Sequence, residues 1–176
     1  MIQISDLLKN ISSGQSGIPT RLIFNQLDMV YKGLKSGIKI LKIEPVKEGF
    51  IVYMIVPSQN DKNRHYDVDF LFFTKNRITQ TTKFKVFSNS PNFGFSYAYL
   101  FNKQKSLLFP ELYPRIMLRL PPKVKNPFEV TGFDKHVYSA LKFVYKENLA
   151  SLAPIHKRND KINIMTFNDK MKSIKK

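Results

Sequence analysis

Between Phe93 and Phe101 every second residue is aromatic: Phe93, Phe95, Tyr97, Tyr99 and Phe101, separated by Gly94, Ser96, Ala98 and Leu100. Successive side chains of an extended strand point to opposite faces, so this run would gather five rings on one side of a sheet. A helix, at 3.6 residues per turn, does not bring all five to one face. The pattern therefore predicts a central β-strand. Lys83–Phe87 leads into it, and Ser88–Asn92 interrupts it, because Pro91 cannot donate to a ladder. Two fates for the rings follow. They are core beneath helices, or they stack nucleic-acid bases beside Lys83 and Lys85. Burial favours the core, since each buried ring contributes roughly 1.5–3 kcal/mol and five exposed rings would promote aggregation.

The remaining segments supply a sheet and its cover. Ile38–Ile43 and Gly49–Pro57 flank a turn and predict a hairpin, and His65–Thr74 predicts a third strand. Lys105–Phe109 and Arg115–Leu120 are expected to add short strands. Connections this short exclude helical crossovers, so the sheet is antiparallel, with five or six strands. Ile23, Leu27, Val30 and Leu34 fall at helical spacing behind Pro19, predicting an amphipathic helix over Pro19–Leu34. Val137, Leu141, Val144 and Tyr145 form a second stripe over Asp134–Asn148, opposite Lys135, Ser139, Lys142 and Lys146. Ile2–Ile11 is expected to be a short helix, Ser12–Gly17 a loop, and the proline-bearing stretch Phe109–Pro127 an extended surface crossing. The fold class is then α+β: one domain over residues 1–153, with a basic C-terminal extension over 154–176.

Charge bounds the partners. Against 13 acids stand 29 Lys and Arg, a net of +16, and the half from residue 103 onward carries +10 of it. An excess of this size repels itself unless something anionic answers it, and nucleic acid or an acidic protein surface is the usual answer. Most of the cations are Lys, which meets phosphate as a point charge and reads base edges less well than Arg. The expected contacts are Lys83 and Lys85 on the strand, Lys123, Lys125, Lys142 and Lys146, and in the extension Lys157, Arg158, Lys161, Lys170, Lys172, Lys175 and Lys176. That extension holds too little apolar surface to offset its own ordering entropy and is expected to order only on binding. The N-terminal stretch does not read as a secretion signal, and no apolar run reaches the ~18 residues a membrane-spanning helix needs.

Candidate chemistry is thin. Asp67 and Asp69, two apart on a strand, share a face with His65 and could hold a divalent cation, with Glu44 or Glu48 and Lys83 or Lys85 completing a nuclease-like site. The competing reading makes His65, Asp67 and Asp69 the solvated face of a half-exposed strand while Val68, Phe70 and Phe72 are buried, and it is preferred. With no Cys, and with His136 and His156 far apart, a structural zinc site is not expected. No Gly-rich phosphate loop or serine elbow is present, so neither a cofactor nor an enzymatic reaction is expected.

The run Lys85-Val-Phe-Ser-Asn-Ser-Pro-Asn-Phe-Gly-Phe-Ser-Tyr-Ala-Tyr, followed by Lys125-Asn-Pro and Gly132-Phe-Asp-Lys, resembles uncharacterised proteins of phages that infect low-GC bacteria, over about residues 82–146. The resemblance implies a virion or DNA-handling context and brings no catalytic residue with it. The expectation is a non-enzymatic structural or adaptor protein of a larger assembly, in a virion or the host cytoplasm, meeting nucleic acid or other protein subunits. The alternatives are a free sequence-nonspecific nucleic-acid-binding protein and a metal-dependent nuclease.

Overall fold

Four consecutive strands, each joined to the next by a short connection, organise the molecule. The computed structural model describes residues 1–6, 20–121 and 134–144, with side chains from residue 25 onward in the first helix. Strand β1 spans Ile2–Gln3, β2 Lys39–Val46, β3 Gly49–Pro57, β4 His65–Phe72 and β5 Lys83–Ser88. They form one antiparallel sheet in the order β1-β5-β4-β3-β2. The class is α+β, as the sequence predicts.

Alternation on the strands decides what is core. Register places Val52 against Phe70 and Phe70 against Val86, Phe50 against Phe72 and Phe72 against Phe84, and Ile2 against Phe84. All of these are buried. Gly49 opens β3 because a Cβ there would stand 1.9 Å from the Phe72 carbonyl oxygen. The outer edge of β5 is closed twice, by β1 and then by Ser106–Leu108, where Val86 N donates to Ser106 O (3.0 Å) and Leu108 N to Val86 O (2.9 Å). The strand expected over Lys105–Phe109 thus shrinks to a single parallel bridge between Val86 and Leu107. The opposite edge, β2, carries a register shift between Ile40 and Lys42, with Lys39, Lys42 and Pro45 along it, features that discourage further pairing.

Helix α1 (Thr20–Leu34) and helix α5 (Lys135–Lys142) pack together on the Phe50–Val56 face of the sheet, α5 against β3 and β4. Tyr31, Leu34, Val137, Ala140, Leu141 and Val144 are buried there. Both helices lie within the expected spans, though Pro19 and residues 145–148 fall outside the described residues. At the N-terminus the expected helix over Ile2–Ile11 gives way to β1 followed by a helical turn at 4–6; the rest, with the Ser12–Gly17 loop, lies outside the description.

The aromatic run departs from expectation. It is not a strand but two short helices, α2 (Pro91–Ser96) and α3 (Ala98–Lys103). Ser90 starts the first: its side chain accepts from Phe93 N (3.1 Å) and Pro91 takes the first helical position. A period of two contains a period of four, so Phe93, Tyr97 and Phe101 repeat at i+4 on one helical face and Phe95 and Tyr99 on another. Phe93 and Phe101 are fully buried, with rings 5.5 Å apart, and Phe95 is 58% exposed. The five rings therefore divide between core and surface. Arg115–Arg119 likewise forms a helix, α4, not a strand. The domain boundary near 153 and the extension beyond it lie outside the described residues.

Candidate partner interface

The sheet's second face carries the residues singled out for chemistry. Here Lys42 and Glu44 on β2, Ile51, Tyr53 and Ile55 on β3, Asp67, Asp69 and Leu71 on β4, and Lys83, Lys85 and Phe87 on β5 point away from the helices, as the register dictates. Ile51, Ile55, Leu71 and Tyr53 are half-buried, Lys85 is half-buried, and Lys83 and Asp67 are exposed.

Asp67 and Asp69 turn to different partners. Asp67 is clamped by Asn89, whose Nδ2 donates to Oδ2 (2.7 Å) while Asp67 N donates to Asn89 Oδ1 (2.9 Å). Asp69 sits between Tyr53 and Phe87 in register and accepts from Met54 N (3.2 Å). It is only 8% exposed, which corrects its expected place on a solvated face. Phe109 and Tyr113 pack on its cross-strand neighbour Phe87, with rings 5.9 Å and 5.5 Å away, and Tyr113 Oη donates to Ser88 O (2.7 Å). Burial pushes the Asp69 carboxyl up to about 6, against the Met54 amide and with help from the Asp67 charge. Among the described residues no three His, Cys, Asp or Glu side chains come together to hold a metal ion. His65 is exposed at the start of β4, and Glu44 is engaged by Lys42.

The expected cationic contacts divide. Lys83 and Lys85 stand on the second sheet face, Lys83 exposed and Lys85 half-buried. Lys142 does not face outward: its Nζ bonds Asp28 Oδ1 on α1, which Tyr138 Oη also reaches, and it lies 5.0 Å from the Tyr31 ring. Its half of α5 packs on α1, so the polar stripe read there is a helix–helix seam, and Ser139 on the same stripe is fully buried. Lys123, Lys125, Lys146, Lys157, Arg158, Lys161, Lys170, Lys172, Lys175 and Lys176 lie outside the described residues, as does His156.

Two features escaped the sequence reading. Asp134 caps α5, accepting from His136 N (2.8 Å), Val137 N (3.4 Å) and Asn92 Nδ2 (2.8 Å), and its Oδ1 lies 3.1 Å from His136 Nδ1. Burial alone would push this carboxyl up. The His136 ring, with the Asn92 amide and the His136 N–H, outweighs that and holds it below its ordinary range. A carboxylate only accepts, so Nδ1 is the donor, which leaves the buried Nε2, 4.5 Å ring-to-ring from Tyr66, without a partner among the described residues. The cap signature was an aspartate directly before an apolar helical stripe. The second feature is apolar surface on α2 and α4, where Phe95, Ile116 and Leu120 line one groove. The alternating run hid it by reading as a strand.

A wider groove of about 690 Å³, with Val30, Leu34, Pro57, Gln59, Lys62 and His65 in its walls, runs between α1 and the β3–β4 connection. Among the described residues no helix is long and apolar enough to cross a membrane. Neither a protein-family model, nor a curated protein, nor a solved structure matches the chain.

Proposed function

We propose that the chain is a non-enzymatic, basic structural or adaptor protein of a larger assembly, holding an acidic protein neighbour or nucleic acid through its surplus cations. The observation that carries this reading is where the acids go. Asp67, Asp69 and Asp134 are engaged by the protein's own amides and by a histidine, Asp61 by the Asn63 amide, and Asp6 by the Gln3 amide. Among the described residues, Asp28 and Glu44 are the acids that meet lysines, Lys142 and Lys42. Pairing inside the chain leaves the sum unchanged, so the net of +16 stays for something outside the chain to answer. The resemblance over residues 82–146 makes a phage particle the assembly of choice.

The nuclease reading draws less support, because Asp67 and Asp69 are held by different donors on opposite sides of β4. Isolation from the source with chemical cross-linking tests the proposal. The expected result is lysine cross-links to acidic segments of other chains, or to nucleic acid, within one particle. Recovery as a lone chain whose Mg²⁺-dependent nuclease activity vanishes in the Asp67→Asn, Asp69→Asn double variant would reject it.

A further inference from the structure

Large apolar side chains stand exposed along the stretch from α2 to α4: Phe95 at 58%, Leu112 at 62%, Ile116 at 65% and Leu120 at 59%. Three of them, Phe95, Ile116 and Leu120, line a groove of about 230 Å³ together with Tyr99, Met117 and Pro121. Gly94 lets the groove form. A Cβ there would lie 3.3 Å from Met117 Sδ, so α4 rests its methionine on nearly bare backbone of α2. The rim is cationic. Arg115 and Arg119, one helical turn apart on α4, are exposed on one flank of Ile116, and Lys103 Nζ lies 5.7 Å from the centre of the Tyr99 ring. From Ser90 to Pro121 a single acid, Glu111, stands against Lys103, Lys105, Arg115 and Arg119.

We propose that this groove docks an acidic amphipathic segment of a protein partner, its apolar side chains on Phe95, Ile116 and Leu120 and its carboxylates on Arg115 and Arg119. The proposal rests on the adaptor reading and deepens it by naming the partner of one surface. Charge complementarity selects the occupant. A second copy of the chain would bring the same arginines and lysines against themselves in a two-fold contact, which like charges oppose. A nucleic acid would find phosphate partners on the rim and two rings, Phe95 and Tyr99, to stack on, but Ile116, Met117, Leu120 and Pro121 make up most of the remaining lining and present nothing that could hydrogen-bond a base edge. An amphipathic peptide meets both features at once: side chains anchored in an apolar groove, and carboxylates that the arginine fork matches in two parallel bonds.

The test uses the full chain and a fluorescently labelled helical peptide with leucine and phenylalanine on one face and glutamate on the other. Its affinity is read by fluorescence anisotropy. Phe95→Ser and Ile116→Asn, both at exposed positions, should keep the wild-type thermal unfolding and weaken binding by about tenfold or more each, as anchor truncations do. Arg115→Gln with Arg119→Gln should weaken binding and flatten its salt dependence, and a lysine-faced version of the peptide should not bind. Equal binding by wild type and the groove variants would overturn the proposal. So would competition by a single-stranded oligonucleotide that the Phe95 and Ile116 variants abolish, or self-association of the wild type that Ile116→Asn removes. The same variants in the source separate the two readings. If the chain is found in no assembly, the adaptor reading fails; if it enters its assembly unchanged with Phe95→Ser and Ile116→Asn, only the groove assignment fails.

Discussion

Asp69 shows how far a single residue can be read from sequence. Strand periodicity places it correctly, on the same face as Asp67 and opposite Val68 and Phe70. Periodicity does not say that this face is covered at one end. Phe109 and Tyr113, from a distant part of the chain, pack on the neighbouring Phe87, and Phe109 does so from a left-handed backbone (φ 53°) that no local pattern announces. The charged and titratable groups around the carboxyl are Asp67 on its own strand, Tyr53 on β3 and Tyr113 above. The consequence for stability follows from proton counting. An unfolded aspartate titrates near 3.8 and this one near 6, so between those values the folded state holds more protons. Stability conferred by the protonated carboxyl is present below the lower value and is lost as pH rises through 6. Asp69→Asn keeps an oxygen for the Met54 amide and removes the charge. It should stabilise the protein by about 1–3 kcal/mol near pH 8 and leave it nearly unchanged near pH 4, measured by urea unfolding at both. Destabilisation near pH 8 would mean that the carboxylate is favoured where it sits.

At the scale of elements, the meander β2–β5 and the helices α1 and α5 were legible because each carries one period over a long run. The stretch from Ser90 to Lys103 was not. Its alternation satisfies a strand in full, and it satisfies a helix only once the rings are divided into two sets four residues apart. Ser90 and Pro91 form a helix start that reads equally as a strand breaker. What decides between them is tertiary: Phe93 and Phe101 reach the core only when the chain coils, with Phe93 packing 6.3 Å from Tyr113. The helical arrangement sorts substitutions in a way the strand would not. Phe93→Ala and Phe101→Ala should each cost about 3–5 kcal/mol, as truncations of buried rings do. Phe95→Ala should stay within about 0.5 kcal/mol, and Ser90→Ala should cost about 1 kcal/mol through its lost cap. Chemical denaturation of the four variants gives the ranking. A Phe95→Ala loss as large as that of Phe93→Ala would restore a strand with all rings on one face.

For the whole molecule the legible quantity was net charge; the direction each cation faces was not. Lys142 looked like any lysine on a polar helical stripe, but a helix packed on both a sheet and a second helix has little polar face left, and Asp28 on α1 takes it. Lys83 and Lys85 sit on a strand whose alternate residues, Phe84 and Val86, are fully buried, so their own side must be the outer one. This division predicts unequal contributions to binding any polyanion. For a short DNA duplex used as a probe, the logarithm of affinity falls with the logarithm of salt concentration by about 0.9 per phosphate neutralised. Lys83→Gln with Lys85→Gln should lower that slope by about 1–2 without altering the fold. Lys142→Gln should leave the slope unchanged and lower stability instead, by about 1 kcal/mol or less, since its partner Asp28 is partly exposed. Titrations of the full chain between about 50 and 200 mM salt measure both effects. If Lys142→Gln flattens the slope as much as the β5 pair does, the ion pair with Asp28 does not hold that lysine inward, and cations on α5 belong to the binding surface after all.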